Sequence, residues 1–208
     1  MFLNKKRVLL CITCPRNDVS YKQQVKLACE GGADIIQFRD KCLSDNELYN
    51  LSLDLKEICY KYNVCFTVNN RIDIADISNS DGVHLGQKDL PVSYARKILG
   101  KNKIIGLSAS QYEKVISADK QDIDYIGCGA IFSTNSKPEA NVIGLDNLYK
   151  IKQNTTKPII AIGGITAENV SDVIEAGVDG VAVISAVCGC NDIRTQAEKM
   201  KNLILKAK

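Results

Sequence analysis

Histidine is nearly missing from this chain: His84 is the only one in 208 residues, and tryptophan is absent altogether. A lone imidazole leaves nothing spare for a Ser-His-Asp arrangement, and it cannot supply the multi-histidine ligand sets of catalytic zinc. There is also no run of about 18 apolar residues, the length that a membrane-spanning helix needs. The opening stretch MFLNKKRVLLCIT is too briefly apolar for a signal peptide and lacks a small-residue cleavage site. A soluble, cytoplasmic protein with no membrane partner is expected. Charge of one sign is lacking too: 27 basic and 24 acidic residues are scattered to a net +3. No basic block with interleaved aromatics grips nucleic acid, so any cations that matter act locally.

Cysteine, by contrast, is plentiful at nine residues. The number is odd, and Cys11, Cys29, Cys59, Cys65 and Cys128 lie among apolar neighbours. A chain of this length needs no disulfide staples, so reduced core thiols are expected. Cys11 and Cys14 make one CxxC, and Cys188 and Cys190 one CxC. Neither has the second pair or the histidines that a structural zinc site takes.

The length suits one domain over residues 1–208 with a substantial core. Short apolar runs alternate with longer amphipathic stretches, the pattern of βα units around a parallel sheet. Strands are predicted at 8–13, 35–39, 64–69, 82–85, 104–109, 125–132, 158–162 and 180–184. Helices are predicted at 21–30, 45–62, 72–77, 92–99, 112–118, 145–153, 167–176 and 192–205. An echo recurs in every second unit: GGADII (31–36), NSDGVHL (79–85), DIDYIG (122–127) and AGVDGVAV (176–183) each set an acid before an apolar strand. Eight units leave 26 residues apiece. That matches a compact (β/α)8 TIM barrel, leaner than the usual length of about 250 residues. An open doubly wound sheet is the alternative, but CPRND follows the first strand where a dinucleotide fold carries GxGxxG.

In such a barrel the chemistry sits where strands end and βα loops begin. These ends are polar here: Gln37, Arg39 and Lys41; Asn69, Asn70 and Arg71; Gln87 and Asp89; Ser108; Thr134, Ser136 and Lys137; Gly163 and Gly164; Ser185. The opposite loops, GKNK (100–103) and QNTTK (153–157), read as ordinary turns. Within QFRDK (37–41), alternation sends Gln37, Arg39 and Lys41 to one side and Phe38 to the other. An amide, a rigid guanidinium fork and a compact ammonium together suit a diphosphate. AIGGIT (161–166) suits a phosphate, because glycine lets backbone approach an oxyanion and Thr166 is placed to cap the next helix. Arg39, Lys41 and Lys137 form a second anion site. Two such sites imply two phosphorylated substrates, or one phosphorylated at both ends.

The blocks QFRDK, NNRIDIA, DGVHLGQKDLP, GLSAS, YIGCGAIFSTNSK, AIGGIT and GVAVISAV, in this order along the chain, resemble the thiamine-phosphate synthase family. The resemblance implies condensation of an aminopyrimidine methyl diphosphate with a thiazole phosphate. It puts the diphosphate substrate against Gln37, Arg39, Lys41, Asn69, Ser108 and Lys137. The thiazole phosphate falls against Thr134, Ser136, Gly164, Ile184 and Ser185. Arg39, Lys41, Lys137 and Ser108 would be catalytic. Mg2+ would sit at Asn70 and Asp89, although the family has an acid where this chain has Asn70. Ser136 stands for a usual threonine. A homodimer is compatible with the resemblance. Two other readings compete: a thiazole tautomerase, whose family carries a histidine where this chain has Gly129, Ala130, Ile131 and Phe132, and a non-catalytic phosphometabolite-binding barrel. His84, flanked by Val83 and Leu85, reads as a hydrogen-bonded barrel residue. Asp40 and Asp73 read as partners for nearby cations.

Overall fold

The computed structural model describes residues 7–136 and 141–207. Eight parallel strands close into a barrel in chain order. They are β1 (Val8–Ile12), β2 (Ile35–Phe38), β3 (Cys65–Asn69), β4 (Gly82–Leu85), β5 (Ile104–Ser108), β6 (Tyr125–Cys128), β7 (Ile159–Ile162) and β8 (Gly180–Val183). Around them lie α1 (Tyr21–Glu30), α2 (Asp45–Lys61), α3 (Ile72–Ile77), α4 (Val92–Leu99), α5 (Tyr112–Asp119), α6 (Gly144–Gln153), α7 (Val170–Glu175) and α8 (Ile193–Lys206). Closure comes from β8, whose Gly180 to Val183 pair with Val8 to Cys11. The sheet therefore has no open edge, and the doubly wound alternative is excluded. Two of the helices start on a serine that caps them reciprocally. Ser20 and Ser44 each accept from the backbone N–H three residues on, where Gln23 and Glu47 reach back to the cap. Such a cap is worth about 1 kcal/mol.

Alternation divides each strand between two apolar compartments. Leu9, Cys11, Ile36, Phe38 and Phe66 face the helices. Leu10, Ile12, Ile35, Cys65, Tyr125, Ile160 and Ala182 fill the barrel. Two large polar rings also stand inside it, because glycines on neighbouring strands make room. A Cβ on Gly106 would lie 2.2 Å from the Tyr125 ring, and one on Gly127 would lie 2.8 Å from the His84 ring.

The acidic echo is a structural device at the barrel's N-terminal end. Asp34, Asp81, Asp124 and Asp179 each precede an even strand, and each carboxylate accepts a backbone N–H from the preceding odd strand. The donors are Leu9 (2.9 Å), Phe66 (2.8 Å), Ile105 (2.8 Å) and Ile159 (2.9 Å). In return each aspartate N–H donates to the carbonyl of that same residue. Among the described residues, cations close three of the four: Lys201 on Asp34, Arg96 on Asp124 and Lys152 on Asp179. Removing Asp124, whose side chain is 18% exposed, strands the Ile105 N–H and takes one carboxylate from Arg96, which keeps Asp122 and three backbone carbonyls. Asp124→Ala should therefore cost about 2 to 3 kcal/mol, as charge-assisted bonds to partly buried groups do. In urea this appears as a lower unfolding midpoint at constant slope.

Two element boundaries differ from the sequence expectation by more than one residue. β6 ends at Cys128 rather than at residue 132. Gly129 lies flat on the Ile162 carbonyl, where a Cβ would come within 1.9 Å. Ile131 and Phe132 then donate to the carbonyls of Ile162 and Gly163, both at 3.0 Å. This apolar run therefore holds on to the end of β7 as a loop. α7 begins at Val170, not residue 167, and Thr166 does not cap it. Asn169 intervenes: its Oδ1 accepts from the Thr166 N–H (2.9 Å), and its Nδ2 donates to the Gly164 carbonyl (3.0 Å). The side-chain amide thus braces the turn after β7 and delays the helix.

Candidate active site at the C-terminal mouth of the barrel

The described site residues all lie at or just beyond the C-terminal ends of the strands, the rim where barrels of this kind do chemistry. Gln37 is the penultimate residue of β2 and points into the barrel, 3% exposed. It lines a polar-floored cavity with His84, Ser108, Tyr125 and Gly127, walled by Ile12, Ile160 and Ile162. Asn69 ends β3 in register with His84 on β4. Ser108 ends β5 beside Gly127 of β6. Thr134 and Ser136 follow β6, and the Thr134 hydroxyl accepts the Ser136 N–H at 3.3 Å. Ile184 packs against the barrel interior directly after β8, with Ser185 exposed beyond it. Lys137 lies outside the described residues.

Arg39 and Lys41 follow β2. Thr13 at the end of β1 fixes the approach: its Oγ1 accepts the Arg39 N–H at 2.9 Å. Among the described residues, neither the Arg39 guanidinium nor the Lys41 ammonium has a hydrogen-bond or ion-pair partner. Asp40 makes no direct ion pair with either, although the nearby Arg39 charge is one of the influences that lower its pKa, in keeping with the sequence expectation of a cation beside it. It takes the Tyr21 hydroxyl and the backbone N–H groups of Cys42 (2.6 Å) and Leu43 (2.8 Å). Burial raises its pKa, yet these bonds together hold it below the usual carboxylate range. Asp73 does pair, with Arg71, which also reaches Asp45 (2.6 Å). The next cation along the rim is therefore neutralised while Arg39 and Lys41 stay available.

The floor of the cavity is a hydrogen-bonded chain. His84 Nδ1 meets the Tyr125 hydroxyl at 2.9 Å, and His84 Nε2 meets Ser108 Oγ at 2.9 Å. Gln37 lines the same cavity, and Gln87 Nε2 donates to the Ser108 carbonyl at 2.6 Å. Loss of water around the ring pushes the His84 pKa down to about 4, so it is neutral near pH 7. Burial likewise drives the Tyr125 phenol up. Tyr125 and Thr13 escaped the sequence reading. The available signal was indirect: glycines at inward positions 106 and 127 announce large neighbours.

On the opposite side of the mouth, Gly163 and Gly164 take φ of +101° and +64°. A Cβ on Gly164 would meet the Ser133 carbonyl at 2.5 Å. The turn is thus both left-handed and pressed against the β6 loop that carries Thr134 and Ser136. For a hard cation, Asn70 and Asp89 offer oxygen donors at adjacent strand ends. The Asn70 N–H donates to the His84 carbonyl (2.8 Å), and Asp89 Oδ2 accepts the Gly86 N–H (2.6 Å). Among the described residues, no three His, Cys, Asp or Glu side chains gather as a metal-holding group. One carboxylate and one amide fit a cation that takes most of its shell from phosphate oxygens and water, the habit of Mg2+.

A closed (β/α)8 barrel with two cations unpaired among the described residues, a glycine turn and oxygen donors around one mouth defines a phosphate-handling barrel enzyme. A model of the thiamine monophosphate synthase family matches residues 9–187. The chain is 42% identical over 204 residues to thiamine-phosphate synthase of Clostridium novyi, covering 98% of this chain and 100% of that protein. It is 45% identical over 188 residues to the enzyme of the same name from Coprothermobacter proteolyticus, covering 90% and 89%. The solved thiamine phosphate pyrophosphorylase of Pyrococcus furiosus superposes with a TM-score of 0.92 at 38% identity, covering 99% of this chain and 98% of that one. The chain belongs to the thiamine monophosphate synthase family.

Proposed function

We propose that this chain catalyses thiamine-phosphate synthesis. It joins an aminopyrimidine methyl diphosphate to a thiazole phosphate and releases diphosphate, as an alkyl-transferring enzyme of thiamine biosynthesis. The observation that carries this reading is Arg39 and Lys41, two cations at the mouth with no hydrogen-bond or ion-pair partner among the described residues, the first held through its backbone N–H by Thr13 of the β1 end. The diphosphate leaves from a benzylic-type carbon on an electron-rich ring, so the carbon–oxygen bond can break first. The stabilised cation is then captured by the thiazole nitrogen. No protein nucleophile is needed, and the neutral floor of Gln37, Tyr125, His84 and Ser108 offers none.

In this reading Arg39, Lys41, Lys137 and Ser108 hold the departing diphosphate, with Gln37 and Asn69 against the same substrate. Catalysis then consists of positioning and charge neutralisation in a preorganised site. Thr134, Ser136, Gly164, Ile184 and Ser185 hold the thiazole phosphate on the far side of the mouth. Asn70 and Asp89 are the residues that would hold Mg2+, which when bound neutralises diphosphate oxygens. The tautomerase alternative lacks support, since the β6 loop segment Gly129 to Phe132 carries no imidazole.

An assay with both substrates, with and without Mg2+, tests the proposal. Thiamine phosphate and diphosphate should appear in equal amounts; binding without product would leave only a sensor. Asn70 also yields a prediction. Its φ of +65° is a conformation that asparagine and aspartate both tolerate, so Asn70→Asp should keep the backbone. Calorimetric titration of Mg2+ in the presence of inorganic diphosphate should show roughly tenfold tighter binding in Asn70→Asp, because one neutral ligand becomes anionic. An unchanged affinity would remove Asn70 from the ligand set.

A further inference from the structure

We infer that Asn169 is a positioning residue that holds the peptide after Gly164 with its N–H turned into the mouth, as a donor for the thiazole phosphate. The inference rests on the proposed placing of that phosphate at Gly164. An asparagine just before a helix ordinarily caps it, its side chain accepting from an N–H two or three residues on. Asn169 precedes α7 but makes no such cap. Its amide is instead directed back at the turn after β7: Oδ1 accepts the Thr166 N–H at 2.9 Å, and Nδ2 donates to the Gly164 carbonyl at 3.0 Å. Both partners are backbone groups of fixed polarity, so the amide has only one orientation. Its backbone is anchored by the next residue, Val170, which is fully buried at the start of α7.

These bonds fix the peptide planes of the turn. In a trans peptide the C=O of one residue and the N–H of the next point in opposite directions. The Ile162 and Gly163 carbonyls accept from Ile131 and Phe132, both at 3.0 Å, so the N–H groups of Gly163 and Gly164 face away from the β6 loop. The Gly164 carbonyl goes to Asn169, so the Ile165 N–H faces away from α7. Among the described residues neither the Gly164 nor the Ile165 N–H has an acceptor, and Ile165 is 5% exposed. Buried backbone donors seldom go unpaired, so a ligand is the natural acceptor. Gly163 and Gly164 both take positive φ, and successive N–H groups in such a turn form a concavity that binds anions. Without Asn169, the freedom of glycine would let the 164–165 peptide swing its carbonyl into the mouth, where a phosphate repels it.

Amide 15N–1H spectra of the full chain test this directly. Adding the thiazole phosphate should move the Gly164 and Ile165 amide protons downfield, and inorganic phosphate alone should move the same two by less. An Ile165 amide that does not respond, in a chain that makes thiamine phosphate, overturns the inference and leaves the proposed activity standing. Asn169→Ala supplies the second measurement. KM for the thiazole phosphate should rise about tenfold to a hundredfold, the range of one hydrogen bond to a charged group, while kcat and KM for the pyrimidine diphosphate stay within about twofold. Were the amide only a structural brace, Asn169→Ala would unfold at lower urea with both KM values unchanged, and that result also overturns the inference. No thiamine phosphate from the unaltered chain overturns the inference and the activity together. If Asn169→Ala fails to fold, the amide shifts of the unaltered chain still decide.

Discussion

Arg39→Ala lowers kcat about a hundredfold or more, roughly 3 kcal/mol at the barrier, while thermal unfolding stays near that of the unaltered chain. The size follows from what the guanidinium lacks. Among the described residues it has no ion-pair partner, and the adjacent Asp40 is already taken by Tyr21 and two backbone N–H groups. Its backbone is nevertheless held, with Thr13 Oγ1 accepting its N–H at 2.9 Å. The fold thus fixes where the cation starts and leaves its head for a ligand. Had Arg39 been one half of a surface ion pair, its removal would cost only about 0.2 to 1 kcal/mol of stability and leave turnover alone. Arg71 provides that contrast on the same rim, since Asp73 and Asp45 already hold it. Arg39→Lys keeps the charge and loses the two-pronged fork, so its rate should fall between the two. Diphosphate release measured beside a melting curve separates these cases; near-normal turnover in Arg39→Ala would refute the diphosphate role.

The sequence carried the periodic part of this fold and lost the part that depends on long-range polar choice. Alternation along QFRDK put Gln37 and Phe38 on opposite sides, as found, with Gln37 in the barrel and Phe38 against the helices, because strand geometry allows no other arrangement. The acids at 34, 81, 124 and 179 marked the even strands correctly. Their purpose, tying each even strand to its odd neighbour, appears only in three dimensions. Asp40 shows the limit. A nearby cation was expected beside it, and the Arg39 charge does act on it, but its hydrogen bonds go to a tyrosine 19 residues away and two local N–H groups. The floor of the mouth was hidden for the same reason, since His84 and Tyr125 are 41 residues apart and meet only when the barrel closes. The loop from Gly129 to Phe132 read as strand because it is apolar and does hydrogen-bond to β7. Nothing in its composition marks where the ladder stops.

Gly164→Ala tests the other half of the mouth, and its effect should fall on one substrate. The residue sits at φ +64°, where a side chain costs about 1 to 2 kcal/mol. The new methyl would also meet the Ser133 carbonyl at 2.5 Å and Phe132 Cβ at 2.7 Å, so the β6 loop must shift. That loop carries Thr134 and Ser136, the proposed partners of the thiazole phosphate. The two costs converge on the same anion site, because the glycine turn and the hydroxyl loop pack against each other. Overpacking of this kind typically costs about 1 to 3 kcal/mol. If about 2 kcal/mol of it reaches the bound state, KM for the thiazole phosphate rises roughly thirtyfold. Arg39 and Lys41 after β2, and Ser108 at the end of β5, lie across the mouth, so KM for the pyrimidine diphosphate should hardly change. Steady-state titration of each substrate at saturation of the other reads the difference. A matching rise in both constants would mean a general loosening of the barrel, and the separation into two anion sites would then fail.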